Sequence, residues 1–143
     1  MKVTVIGCGA MGGLYGAYLS KKYDVTVVDV SKDTVDAINK EGLTIIEPNG
    51  SSAIYYPKAA LPSEYIGPQD VVLVFVKAFL TESALSACAD IIGPDTYLMT
   101  LQNGGGHEAV LSQFVDRDHV ILGTTQHNAT RLGSHTVRHG GSG

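Results

Sequence analysis

Apolar residues in this chain fall into short β-branched runs, separated by stretches with helical spacing. Lys2–Ile6 (KVTVI) is the first run. A glycine-rich segment, Gly7–Gly13, follows it, and Ala10–Lys21 places Leu14, Ala17, Tyr18 and Lys21 at helical intervals. Asp24–Asp29 (DVTVVD) reads as a second buried strand. Ser31 is a residue type that caps helix N-termini. Val35, Ile38 and Asn39 carry the next helix to about Glu41, where Gly42 stops it. Strand, helix and strand make a βαβ unit of about thirty residues.

The pattern then changes. Leu43–Ile46 and Ala53–Tyr56 are short strands around Pro48-Asn49-Gly50, which carries turn chemistry, and they predict an edge hairpin or excursion. Asp70–Val76 (DVVLVFV) is almost wholly apolar, as in a strand covered on both faces of a parallel sheet. Ala78–Ile92 predicts one helix ended by Gly93-Pro94. Tyr97–Leu101 predicts a strand, Gly105–Phe114 a helix with Glu108 in its first turn, and His119–Gly123 a further core strand. Beyond Thr124 the pattern weakens, although His135–His139 alternates like an edge strand. Strands alternating with helices predict an α/β fold with a doubly wound, mostly parallel sheet.

Gly7-Cys8-Gly9-Ala10-Met11-Gly12 fits GxGxxG. The motif alone is common, but here it follows a strand and opens a helix in the first βαβ unit. In that position the first glycine permits the tight turn, the second lets backbone approach a pyrophosphate, and the third lets helix and strand pack closely. The helix N-terminus then offers free N–H groups to the anion. The residues predict a Rossmann-like NAD(P)-binding domain over 1–143. Asp29 ends the second strand about twenty residues on, where an acid accepts hydrogen bonds from the adenosine ribose and repels a 2′-phosphate. It therefore favours NAD, unless it merely caps the following helix; Lys32 is near enough to offset its charge.

Composition removes other classes. A chain of 143 residues with 44% hydrophobic and 17% charged residues suits one globular domain. A net charge of −4 without any basic block argues against nucleic acid or an anionic membrane as partner. The longest apolar run, Val71–Val76, is too short to span a bilayer, and the N-terminus opens directly on a strand. Cys8 and Cys88 form no CxxC pair, which fits free thiols in a reducing, cytoplasmic setting. No metal is expected.

Further segments narrow the reading. Val76-Lys77-Ala78 follows one core strand. Leu101-Gln102-Asn103-Gly104 follows the next, and Gly123-Thr124-Thr125-Gln126-His127-Asn128-Ala129 the one after, with Val137-Arg138-His139 beyond. This series, with the opening GCGAMG, resembles the ketopantoate reductases (2-dehydropantoate 2-reductases) over essentially the whole chain. All three segments lie at C-terminal strand ends, where open α/β sheets bind ligands. From its position alone, Lys77 suits ribose hydroxyls, a phosphate or a substrate carboxylate, and Asn103 suits the nicotinamide or a helix N-cap.

The resemblance implies NAD(P)H-dependent reduction of 2-dehydropantoate to (R)-pantoate, in pantothenate and coenzyme A biosynthesis. It implies cofactor contacts from Gly7, Cys8, Gly9, Ala10, Met11, Gly12, Lys77, Asn103 and Ala129, with Asn103 also facing the ketoacid. It implies a second, helical domain, absent from this chain, that supplies the catalytic Lys. Many members carry a basic residue after the second strand to hold the NADPH phosphate; here that stretch is Asp29-Val30-Ser31-Lys32. NAD and NADP both remain open. His127 alone among the histidines falls in a matching segment and is not read as a general acid; His107, His119, His135 and His139 are expected to be surface or structural. Besides a small ketoacid, a homodimer stays open as a partner. The alternatives are another small-ketoacid, hydroxyacid or opine dehydrogenase, or a stand-alone NAD(H)-sensing module.

Overall fold

The computed structural model describes residues 1–101, 106–125 and 127–141. Asn103 therefore lies outside the described residues. The first half follows the apolar pattern closely. Strand β1 is Lys2–Ile6, helix α1 Ala10–Leu19, strand β2 Asp24–Val28, and helix α2 Lys32–Glu41. The Ser31 side chain caps α2 by accepting from the Thr34 N–H at 3.3 Å. Strands β3 (Leu43–Ile46) and β4 (Ser52–Tyr55) form the expected hairpin. Next come β5 (Lys58–Ala60), β6 (Val71–Val74), α3 (Thr81–Ala87), β7 (Tyr97–Thr100), α4 (His107–Leu111), β8 (Val120–Leu122), β9 (Asn128–Arg131) and β10 (Thr136–Gly141).

Six strands make one sheet in the order β5-β2-β1-β6-β7-β8, every pair parallel. Alternation along β1 and β6 divides the core. Val3, Val5 and Leu73 pack with Leu14 and Ala17 of α1 and Val35 and Ile38 of α2. Ile6, Val72 and Val74 pack on the other face with Leu85 of α3, Ile91 and Leu111 of α4. Helices thus cover both faces, as doubly wound connectivity requires.

Besides β8, expected as a core strand but outermost in its sheet with Ile121 and Leu122 exposed, three expectations are corrected. The helix expected over 78–92 is broken into a 3-10 turn Ala78–Leu80, α3 and a second 3-10 turn Ala89–Ile91. Cys88 leaves helical geometry (φ −128, ψ 41), and the Asp90 carboxylate beyond it accepts from the Ile66 and Gly67 N–H groups at 2.8 and 3.0 Å, drawing the last turn toward that loop. The helix expected over 105–114 is regular only across α4, with turns closing the remainder to Phe114. The third correction concerns the strands expected at an edge. β10 lies inside a second sheet of order β4-β3-β10-β9, parallel to β3 and antiparallel to β9. Hairpin β3–β4 is therefore half of a four-stranded layer laid over α1. Its Leu43, Ile45 and Val137 join the α1 side of the core.

Candidate functional site

The chain leaves β1 for β2 on one side and reaches β6 on the other, so strand order reverses between β1 and β6. That reversal opens a crevice beyond their C-terminal ends. A cleft of about 240 Å³ lies there, lined by Gly7, Val28, Asp29, Val30, Val76 and Leu80 among others. Its walls are mostly apolar, and Val30, at 85% exposed, stands at its rim. A mostly apolar cleft with a carboxylate in its lining suits a flat base joined to a sugar.

The three motif glycines have separable reasons. Gly7 turns the chain at φ +94°, and a Cβ there would stand 3.0 Å from Val76 Cγ1. A Cβ on Gly12 would overlap the Gly7 carbonyl oxygen, so helix and loop touch at that point. A Cβ on Gly9 would meet no protein atom within 4 Å. Packing therefore explains Gly7 and Gly12, whereas no described residue requires a glycine at Gly9. Below it, α1 has no side-chain cap and no acid in its first turn, and Gly13 N–H, bonded to Gly9 O at 2.9 Å, makes its first intrahelical bond. The amides of Ala10, Met11 and Gly12 precede that bond and have no intrahelical carbonyl to reach. Uncapped amides under a glycine-opened surface fit a pyrophosphate.

Asp29 is tied to this loop. Its Oδ2 accepts from Cys8 N–H and its Oδ1 from Ser31 N–H, both at 2.9 Å. The carboxylate thus clamps the glycine loop to the entry of α2, and each oxygen keeps a lone pair for a further donor. Cys8 gives its amide to this clamp and buries its thiol beneath the loop. Burial, with Asp29 adding to it, pushes that thiol up to about 12; burial likewise pushes Cys88 up to about 11. Both thiols are neutral near pH 7 and poor nucleophiles.

Lys77 is exposed just past β6 and starts the 3-10 turn by accepting from Leu80 N–H at 2.8 Å. Ala129 is half-buried on β9. His127 packs edge-on against Tyr15 at 5.8 Å, and Tyr15 stacks on Phe75 at 5.2 Å, past the end of β6. Tyr15 also hydrogen-bonds Thr125 at 2.6 Å. A polar chain that the sequence did not reveal runs inward from there. His127 Nδ1 meets His139 Nε2 at 3.1 Å, His139 Nδ1 meets Glu47 Oε1 at 3.0 Å, and Tyr18 donates to Glu47 at 2.7 Å. The His139 and Tyr18 bonds hold Glu47 below the usual carboxylate range; burial, then Glu47, raises the Tyr18 hydroxyl above its own. Of the other histidines, His107 and His139 are buried, which makes them structural, and His135 pairs with Glu41 at 3.1 Å.

The sequence pattern described as Ketopantoate reductase PanE/ApbA matches residues 3–143. The chain belongs to the ketopantoate reductase family. A 2-dehydropantoate 2-reductase of Halobacterium salinarum is 34% identical over 144 residues, covering all of this chain and 47% of the relative. One of Streptococcus pyogenes serotype M1 is 32% identical over 126 residues, 87% of this chain and 40% of the relative. Among solved structures, 2-dehydropantoate 2-reductase from Geobacter metallireducens GS-15 superposes with a TM-score of 0.86 at 27% identity, over 100% of this chain and 47% of that one. D-mandelate dehydrogenase in a ternary structure with NADH and anilino(oxo)acetate superposes with a TM-score of 0.92 at 30% identity, over 99% of this chain and 46% of that one. The chain spans about half the length of the ketopantoate reductase relatives it matches.

In this member of the ketopantoate reductase family, several contacts in and around the cleft carry no sequence signal. Val30 and Leu80 line it as isolated apolar positions in loops. Glu47 and His139 are 92 positions apart and meet only because β3 pairs with β10. Arg131 reaches from β9 to the first turn of α2.

Proposed function

We propose that this chain is the dinucleotide-binding half of an NAD(P)H-dependent 2-dehydropantoate 2-reductase, acting in the cytoplasm. One observation carries the reading: the uncapped N-terminus of α1 beneath Gly9, whose missing Cβ leaves open space rather than room for protein. The cofactor supplies a hydride for the ketone carbon of a small ketoacid. Everything else falls to side chains and backbone. The amides of Ala10, Met11 and Gly12 hold the pyrophosphate, and Asp29 faces the adenosine ribose. Val30 and Leu80 flank the base, and Lys77 stands over the cleft from the β6 side. By the family pattern, Asn103 and Ala129 contribute cofactor contacts, and Asn103 also serves the ketoacid. The proton donor is a Lys of the helical domain expected to follow.

Binding and turnover separate under this reading. The 143-residue chain should bind NADH or NADPH, yet reduce 2-dehydropantoate at least about 10²-fold more slowly than a full-length relative, since loss of a placed general acid costs about 10²–10⁴-fold. Cofactor oxidation followed by absorbance tests this, and full turnover by the chain alone would refute the division of labour. The match to D-mandelate dehydrogenase supports a second reading, a dehydrogenase for another 2-ketoacid. With the helical domain joined, comparing 2-dehydropantoate with benzoylformate as substrate separates the two.

A further inference from the structure

The geometry points to Arg131, bonded to the first turn of α2, as the residue that admits the 2′-phosphate of NADPH. The inference rests on the dinucleotide reading above and adds a specificity determinant to it. β9 runs beside α1 from His127, packed against Tyr15, to Arg131 at its other end.

At the far end, Arg131 Nη2 donates to Thr34 Oγ1 at 2.7 Å and Nε donates to the Gly133 carbonyl at 2.9 Å. Thr34 N–H donates to Ser31 Oγ, and Ser31 N–H donates to Asp29 Oδ1. Three hydrogen bonds thus connect the guanidinium to the carboxylate read as the ribose acid. The two charges also act with opposite sign on the Cys8 thiol, Asp29 raising it and Arg131 lowering it.

The local charges favour an anion here. Both bonds of Arg131 go to neutral acceptors, and it forms no ion pair among the described residues. Lys32, the nearer cation in sequence, is drawn away to Asp36 at 2.8 Å. Asp33 is the acid in the first turn of α2, and Glu41 at its far end pairs with His135. Two of the five guanidinium N–H donors are engaged, and the others keep the planar fork that matches phosphate. Asp29 has each oxygen on a backbone N–H, which already partly balances its charge. A dianionic 2′-phosphate placed between these groups meets an anchored arginine as well as a carboxylate.

The test compares ligands that differ in that phosphate alone. Affinities of NADH and NADPH are measured for the chain and for Arg131→Met and Arg131→Lys, with melting curves as the folding control. Arg131→Met should weaken NADPH about 10- to 100-fold and change NADH by less than about threefold; Arg131→Lys should recover part of the loss. As a minimal probe, 2′,5′-ADP should outcompete 5′-ADP on the parent chain and lose that advantage in Arg131→Met. An unchanged NADPH-to-NADH ratio, or equal loss of both, would overturn the inference while leaving the dinucleotide site standing. Failure of the unmutated chain to bind either nucleotide would overturn both.

Discussion

Gly9→Val separates a binding role for the glycine loop from a packing role. A Cβ at Gly9 meets no protein within 4 Å, and the backbone there (φ −81, ψ −157) is extended, so a side chain starts into open space. The fold should lose only the N-cap preference, about 0.5–1 kcal/mol, or a few degrees in Tm. For a bound pyrophosphate the same side chain fills the approach to the α1 amides. Each hydrogen bond to a charged group contributes about 1.5–3 kcal/mol, so losing two costs roughly 3–6 kcal/mol, or about 10²–10⁴-fold in Kd. Gly12→Ala is the opposite control. Helix propensity alone would favour alanine by about 1 kcal/mol, but its Cβ would overlap the Gly7 carbonyl, so this variant should be less stable than the parent. Calorimetric titration with NADH, alongside thermal melts, reads both effects. Gly9→Val that melts normally and binds NADH within about threefold of the parent would refute the assignment of this loop.

Other perturbations follow from the same contacts. Asp29→Ala removes the clamp between Cys8 and Ser31 N–H and should cost about 1–3 kcal/mol in urea unfolding. It should also improve NADPH relative to NADH, and an unchanged ratio would remove Asp29 from the ribose site. Glu47 has its folded-state pKa lowered, first by His139 and then by Tyr18. Its contribution is therefore present at neutral pH and lost as pH falls through and below the carboxylate range near 4. Glu47→Gln should lower stability at pH 7 and flatten the acid limb of the stability–pH curve; parallel curves would contradict this. Cys8 and Cys88, held at about 12 and about 11, should resist a thiol reagent at pH 8 until the chain unfolds. Rapid labelling of the native chain would contradict their burial.

The strands of the parallel sheet were legible where burial on both faces wrote a continuous apolar run, as in Val71–Val74 and Asp24–Val28. The three residues of β5, Lys58-Ala59-Ala60, carry no such run; pairing with β2 makes them a strand. The second sheet was half legible. Its strands alternate like edges because one face stays wet, as the burial of β3 shows, but nothing local says that residues 136–138 pair with residues 44–46. The glycine loop and Asp29 stand out in the sequence because their spacing matches one ligand geometry. Nothing local marks Arg131, whose contact with Thr34 follows from tertiary pairing. The break near Cys88 was hidden because apolar spacing continues across it to Ile91, while the cause is a carboxylate bonded to a distant loop.

The most direct measurement is an amide chemical-shift titration of the chain with NADH. Saturable shifts are expected to be largest at Gly9, Ala10, Met11 and Gly12, with Val30 and Lys77 following at the same Kd. Absence of saturable binding would contradict the dinucleotide site. So would shifts confined to the polar cleft around Lys2, Asp24 and Lys58, at the opposite ends of the strands.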